Sequence, residues 1–410
     1  MTRDILHSDL NSYYASVEMV LDPSLRGKAV AVCGSGEDRR GIVLAKSDSA
    51  KRAGVKTGMA SWQARALCPG LITVPPHYEQ YLEYSRLTRS IYERYTDLVE
   101  PFGMDECWLD VTGCPGGAEG IAEDIRQSVK RELGLTVSIG VSYTKVVAKL
   151  ASDMRKPDAI TVISREDYKR KVWPLPAGDM LCVGRATAAK LAMHGVKTVG
   201  DVARLPPEVL QCWFGKNGAV LWMYANGIDE SRVAHMDYEQ PVKSVGHGTT
   251  CVTDLCDNGE VWRVMLYLTQ DIGHRLRKHR LEAHGVQIGV KACDFSFKQY
   301  QARLDYPTQS PMELAEAAHR LFAGNYSWYK PVRAITVRAI RLSSDAEPVQ
   351  LELFSDSAPR ERRRRLDDAV ETIRQRYGAW SIHPASLLGD DTKLPGTSLR
   401  DVIMPGAMHV

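Results

Sequence analysis

Three acidic residues have the types and positions that metal-assisted phosphoryl transfer requires. Asp9 closes the strand-like run DILHSDL, and Asp105 and Glu106 stand side by side in VEPFGMDECWLDV, where Gly103 can turn one strand into the next. A two-metal centre places two hard Mg²⁺ ions about 3.5 to 4 Å apart and needs bridging anionic oxygens with few other protein ligands. Adjacent residues on a regular strand point to opposite faces, so Asp105 and Glu106 converge only if the chain bends or turns there. Taken singly, each acid also reads as a solvated turn residue. Lys145 and Lys149 are spaced i,i+4 in TKVVAKLASDMRKP and share a helical face opposite Val146, Val147 and Leu150. A solvated helix face is the bland account of that pair.

The elements that must position these residues alternate in type. DILHSDL, KAVAVC and GIVLAK read as strands and Tyr78 to Val99 as a long helix, so the first 170 or so residues read as an α+β or α/β body. Residues 174–232 lose the strand signal and become short helices punctuated by Gly184, Gly195, Gly200, Gly215, Gly218 and Gly227. A polar stretch from Ser231 to Val242 reads as a linker. Strand alternation returns in GVQIGVKACDF and VRAITVRAIRL, which gives a second α+β domain over 243–345. A short motif, an Arg-rich helix and a polar tail follow Pro348.

Composition narrows the class. The chain has 410 residues, 44% apolar and 25% charged, and a formal net charge of +3. That length calls for several domains, and the mixture excludes collagen, a disulfide-stapled mini-protein and wholesale disorder. No apolar run reaches the roughly 18 to 20 residues of a bilayer span, so no membrane partner is expected. Charge within MTRDILHSDLN interrupts any signal-peptide core, and nine scattered cysteines without a CxxC pair signal neither a zinc site nor a disulfide framework. A cytoplasmic location with reduced thiols is the expectation. Near-neutral charge leaves a nucleic-acid partner open, because local patches decide that.

Three ordered segments, HSDLNSYYASVE, GMDECWLDV and GVSYTKVVAKLASDMRKP, resemble the palm signatures of the Y-family, or translesion, DNA polymerases. The likeness extends to about residue 345. It implies a multi-domain α+β right hand: palm over 1–11 and 77–172, small fingers over 12–76, a helical helix-hairpin-helix thumb over 173–231, a linker at 232–242, an α+β little finger over 243–345 and a tail over 346–410. The implied catalytic and metal-binding carboxylates are Asp9, Asp105 and Glu106, with the Leu10 carbonyl as a further ligand. Two Mg²⁺ ions are the implied cofactors, with Mn²⁺ as an alternative. Tyr14 falls on the steric gate that excludes a 2′-hydroxyl; its competing reading is a core aromatic. The backbone amides of Ser12 and Tyr13 would cradle the triphosphate, and Lys156 would contact it. The family's usual Tyr-x-x-Arg clamp reads Asp48 and Lys51 here, with Ala45 at a commonly hydroxyl-bearing position. Lys51 keeps the charge without the arginine fork, Asp48 is excluded as a repulsive group, and Arg52 is a substitute.

LCVGRATAAKLAMHGVKTVGDVARL reads as a helix, a hairpin at Val183-Gly184-Arg185, a second helix ended by Gly195 and a third begun by a Thr198/Asp201 capping box. It resembles a helix-hairpin-helix, whose amides bind phosphate without reading sequence, so Gly184 and Arg185 are candidate DNA contacts. Gly215-Lys216-Asn217-Gly218 reads as a second such turn. The densest basic cluster before residue 350 runs from His274 to Arg280. Arg275, Arg277 and Lys278 within it are candidate phosphate contacts, against the commoner reading of a solvated face. Gln350-Leu351-Glu352-Leu353-Phe354 resembles the peptide by which bacterial replication proteins dock on the sliding clamp, through Gln350, Leu353 and Phe354. Leu366, Val370, Ile373 and Tyr377 follow helical spacing behind Arg360 and Arg362 to Arg365, arginines that oppose the helix dipole and so call for DNA or an acidic partner.

The expected function is therefore template-directed, low-fidelity, low-processivity DNA synthesis in lesion bypass. The expected partners are primer-template DNA, deoxynucleoside triphosphates and the clamp, and the expected state is a monomer. Two rivals stand beside it: a non-catalytic scaffold of a mutagenesis complex, disfavoured by the three retained carboxylates, and a nucleotide cyclase, which has no use for the hairpin turns or the clamp peptide.

Overall fold

The computed structural model describes residues 3–34, 41–347, 358–378 and 381–388. The chain divides into two compact units between Glu239 and Gln240, inside the expected linker. In the first unit β1 (Ile5–Leu10) is followed by α1 (Tyr13–Leu21), β2 (Val30–Cys33), β3 (Val43–Lys46), α2 (Asp48–Arg52), α3 (Ser61–Leu67) and β4 (Ile72–Val74). Next come α4 (Tyr78–Tyr92), β5 (Val99–Phe102), β6 (Glu106–Asp110), α5 (Gly117–Leu133), β7 (Val137–Ser142), α6 (Lys145–Met154), β8 (Ile160–Val162) and α7 (Tyr168–Val172). Four short helices close the unit: α8 (Arg185–Met193), α9 (Val199–Arg204), α10 (Pro207–Phe214) and α11 (Lys216–Ala225).

The first sheet has the order β5-β6-β1-β7-β8. Its central strand β1 is buried at all six positions and pairs antiparallel with β6 and β7. Period-2 alternation sends Leu6 and Leu10 into a core with Tyr81, Tyr92, Ile121 and Ile125, while Ile5, His7 and Asp9 take the opposite face, where Ile5 meets Trp108 and Ala148 of α6. One residue fixes how closely α6 approaches that face. Gly140 on β7 pairs with His7, and a Cβ added to it would lie 1.9 Å from the Ala148 carbonyl oxygen and 2.5 Å from the Ser152 nitrogen. Only a residue without a side chain admits the helix there.

The second sheet, β3-β2-β4, carries its own small core of Ala31, Val43, Ala50, Val55 and Ala64. Buried Ser47 joins its parts: the hydroxyl caps α2 by accepting from Ala50 N and also accepts from Val30 N. Helices α7 to α11 pack with α6 around Val147, Leu191, Val199 and Leu221. The Thr198/Asp201 capping box forms as read from the sequence, whereas the expected helix ahead of the hairpin is a single 3₁₀ turn, Ala177–Asp179. α4 ends at Tyr92, seven residues short of the expected Val99, which instead begins β5.

The second unit runs β9 (Ser244–Leu255), α12 (Asn258–Lys278), β10 (Leu281–Ala292), β11 (Phe297–Thr308), α13 (Pro311–Asn325), β12 (Val332–Ser344) and α14 (Ala358–Tyr377). Its antiparallel sheet, β11-β10-β12-β9, buries Val286, Ile288, Ile335 and Val337 against Leu268, Leu276, Leu314 and Phe322 of α12 and α13. α14 docks with its charged side. Glu371 meets His274 at 2.6 Å, Arg277 meets Asp367 at 3.3 Å, and Arg363 lies 3.5 Å from Glu316, while Leu366 and Tyr377 stay exposed. The acidic partner that the N-terminal arginines called for is in part the unit's own α13.

Gly140→Ala is expected to destabilise the protein by at least about 3 kcal/mol, because the clash is with backbone rather than a movable side-chain tip. Urea unfolding followed by circular dichroism checks it; a cost below about 1 kcal/mol would show that α6 is not seated by this contact.

Candidate active site

The β1–β6 register places Asp9 directly opposite Glu106, so their side chains share the α6 face. Asp105 is not on the strand. Gly103, with φ of 88°, turns β5 into β6, and Asp105 lies in that turn with its carbonyl accepting from Leu10 N at 2.9 Å. The bend that strand geometry demanded is therefore present. All three carboxylates and the Leu10 backbone line one cleft of about 540 Å³.

Each carboxylate on a strand carries an ammonium group. Lys156 Nζ lies 2.6 Å from Asp9 Oδ2 and 2.7 Å from Asp153 Oδ1, and Lys149 Nζ lies 2.5 Å from Glu106 Oε2. Lys145, on the same helix, turns to Glu100 at 2.7 Å and covers the Trp108 ring, so it is a buried structural pair rather than a site residue. Burial pushes the Asp9 carboxyl up to about 7 against the pull of Lys156, and burial with the neighbouring Glu106 charge lifts Asp105 to about 6. Burial also works upward on Glu106, but the His7 hydrogen bond and the Lys149 charge outweigh it and bring Glu106 down to about 2. Among the described residues no group of three or more His, Cys, Asp or Glu side chains forms a ready metal cage. The donor set nonetheless fits a hard divalent cation: three carboxylates on one cleft, two of them held above the ordinary carboxyl range by burial.

Beside the carboxylates the chain makes a sharp corner. Ser12 adopts a left-handed conformation, with φ of 49°, and caps α1, so the amides of Ser12 and Tyr13 open that helix at the cleft. The Tyr13 ring points away into the core, which leaves its backbone as the contributing group. Tyr14 faces the cleft, stacked on Tyr81 at 4.2 Å and 9°, with Tyr78 edge-on at 6.0 Å. Two aromatic rings thus hold the ring that the sequence marks as a gate. On α2, Lys51 lines the cleft and Arg52 does not; Arg52 approaches Ser49 instead. Asp48 also lines it, accepting from Ser12 Oγ at 3.3 Å, so the departure from the family clamp joins the start of α2 to the start of α1.

Several residues escaped the sequence reading. Lys46 lines the cleft and donates to Thr57 Oγ1 at 3.0 Å. Buried Asn11 donates to Ser138 Oγ and accepts from Asp158 N, tying the corner after β1 to β7 and to the segment that carries Lys156. His7 reaches Glu106 from beneath. Nothing in their spacing marks them; each depends on which strands become neighbours.

The phosphate-binding candidates divide. Gly184 and Arg185 are exposed at the start of α8, and Gly215, with φ of 61°, makes a second turn between α10 and α11. In the second unit Arg275 is engaged by Asp271 and the Gly246 carbonyl, and Arg277 is mostly buried against Asp367, so only Lys278 of the three is an exposed cation. Gln350, Leu353 and Phe354 lie outside the described residues.

Residues 8–153 match the model of the impB/mucB/samB family, 242–353 match its C-terminal domain, and 178–229 match the thumb domain of DNA polymerase-iota. DNA polymerase IV of Acetivibrio thermocellus is 47% identical over 394 residues, covering 95% of this chain and 98% of that protein. DNA polymerase IV 1 of Bacillus subtilis is 36% identical over 407 residues, covering 97% of each. A solved Y-family DNA polymerase chimera of Dbh and Dpo4 superposes with a TM-score of 0.72 at 22% identity, over 82% of this chain and 98% of the chimera, which shows the shared right-hand fold. Sequence and fold agree with the cleft, and the chain belongs to the Y-family DNA polymerases, among the bacterial DNA polymerase IV proteins.

Proposed function

We propose that this polymerase extends a primer 3′-end in the cleft of Asp9, Asp105 and Glu106. The observation that carries the reading is the convergence of these three carboxylates beside Tyr14 at the helix-opening corner of Ser12. A non-catalytic scaffold has no need of a buried, mutually repelling carboxylate set. Asp9, Asp105, Glu106 and the Leu10 carbonyl would hold two divalent ions, Mg²⁺ by the hardness of the oxygens. Bound there, the ions supply Lewis-acid activation of the primer hydroxyl and charge neutralisation at the leaving pyrophosphate.

The chain's own groups do the rest. The Ser12 and Tyr13 amides receive triphosphate oxygens at the start of α1. Lys156, paired here with Asp9 and Asp153, would receive triphosphate oxygens, and Lys46 and Lys51 supply fingers charge where the family's arginine is missing. Tyr14, fixed by Tyr81, lies under the sugar and leaves no room for a 2′-hydroxyl. The hairpin at Gly184-Arg185 and the turn at Gly215 hold the duplex by its phosphates, with the weak sequence preference and strong salt dependence of backbone binding. In the second unit, the sheet face opposite the helices, with Gln287 flanked by Gln301 and Arg338 in register, adds a polar surface. The protein acts as a cytosolic monomer, distributively unless the Gln350–Phe354 peptide tethers it to a clamp.

Asp105→Asn is expected to abolish primer extension on undamaged template with Mg²⁺ while duplex affinity persists; extension at the wild-type rate would remove the metal assignment. The same variant is expected to be more stable at pH 8 by on the order of 1 to 3 kcal/mol. The sign follows from a carboxyl raised from 3.8 to about 6: its charge costs stability above pH 6 and nothing below about pH 4. Thermal melts of the metal-free protein at pH 8 and pH 4 check the gain and its disappearance. Tyr14→Ala is expected to admit ribonucleotides at least about tenfold more readily, and unchanged sugar selection in single-nucleotide insertion would strip Tyr14 of the gate role. Replacing Gln350, Leu353 and Phe354 by Ala is expected to remove clamp-stimulated synthesis and spare basal synthesis; equal loss of both would make the peptide structural.

A further inference from the structure

His7 is fully buried on β1, where Asp9 is the strand's other large polar side chain. A polar ring in such a place is costly unless both nitrogens are partnered. Its Nδ1 lies 2.8 Å from Ser152 Oγ on α6, its Nε2 lies 3.2 Å from Glu106 Oε2 on β6, and the ring meets Trp108 edge-on at 5.2 Å. The imidazole therefore spans from the helix to the carboxylate, hydrogen-bonded at Nδ1 and in electrostatic contact with Glu106 at Nε2, a contact that lacks hydrogen-bond geometry.

The proton count selects one arrangement. Lys149 already neutralises Glu106 at Oε2, 2.5 Å away, and a second buried cation against the same carboxylate oxygen is costly, so the ring carries a single N–H. A proton on Nδ1 would donate to Ser152 and leave the Nε2 lone pair facing a buried carboxylate oxygen, two acceptors in opposition. A proton on Nε2 sets a positive N–H edge against the Glu106 oxygen, and Nδ1 then accepts the Ser152 hydroxyl proton. Ser152 Oγ has one proton for two acceptors, the other being the Lys149 carbonyl at 2.7 Å, which is already a helix acceptor. Giving that proton to His7 strands no group.

We propose that His7 is a positioning residue for Glu106, locked by Ser152 in the Nε2–H tautomer so that it orients the carboxylate for cation binding. His7 and Lys149 both meet Oε2, which leaves Oε1 as the oxygen available to a cation. Such outer partners of ligating groups tune metal affinity by about ten- to a hundredfold. Gly140 is the other half of the device: by admitting α6 it brings Ser152 within reach of the ring paired across from it.

The inference rests on Glu106 being a metal ligand, so the test reads the two separately. Nitrogen-15 histidine spectra of the metal-free protein, with the His7 signals assigned by their loss in His7→Gln, are expected to show a protonated Nε2 and a bare Nδ1; a protonated Nδ1 overturns the proposal. Ser152→Ala is expected to shift that tautomer, and an unchanged spectrum equally overturns it. Mn²⁺ binding to the complex with primer-template, followed by electron paramagnetic resonance, is expected to weaken about tenfold or more in His7→Leu with duplex affinity unchanged, and to recover in His7→Gln, whose amide reaches as Nε2 does. Glu106→Gln is titrated alongside. If it weakens Mn²⁺ and a folded His7→Leu does not, the role of His7 fails. If neither weakens it, the ligand reading of Glu106 fails with it. Where His7→Leu does not fold, the Ser152→Ala titration and the spectra decide.

Discussion

The charge arrangement around the carboxylates depends on how closely α6 lies against β1 and β7. The helix brings Lys149 to Glu106 and Ser152 to His7, and the chain just beyond it brings Lys156 to Asp9. That approach exists because β7 offers no side chain at Gly140. The register of β1 against β6 supplies the other coordinate, since a slip of one residue would turn Asp9 and His7 to the opposite face. Two local conditions, one missing Cβ and one strand register, thus set the positions of four charged groups that are far apart in sequence.

The sequence was informative where chemistry depends on short-range order. Strand, turn and capping signals located β1, the Gly103 turn and the Thr198/Asp201 box, and the ordered palm segments led to the three carboxylates and Tyr14. It was silent where chemistry depends on neighbours. Lys145 and Lys149 look equivalent at i and i+4, yet one is spent on Glu100 and the other meets Glu106, because β5 and β6 present different acids to one helix face. His7 reads as a strand residue until β6 and α6 are laid beside it. β9 and β11 were missed because their exposed faces break the apolar alternation that made β10 and β12 visible.

Charge density misled in the second unit for a related reason. A basic cluster on α12 reads as a phosphate surface, but α14 supplies Asp367 to Arg277 and Glu371 to His274 within it. α14 also reverses the usual amphipathic rule. The apolar stripe at helical spacing stays largely in solvent, and the ionic side makes the contact. Where a helix binds through charge, periodicity of apolar residues marks the wrong face.

Lys149 and Lys156 give the carboxylates their own counter-ions within the chain. Small zinc domains acquire a fold only as they acquire a metal. Here the two strand-borne acids already face ammonium groups from α6 and the turn beyond it, so part of their charge is balanced by the chain itself. A cation entering the cleft would meet carboxylates already partly neutralised and would compete with two lysines for their oxygens.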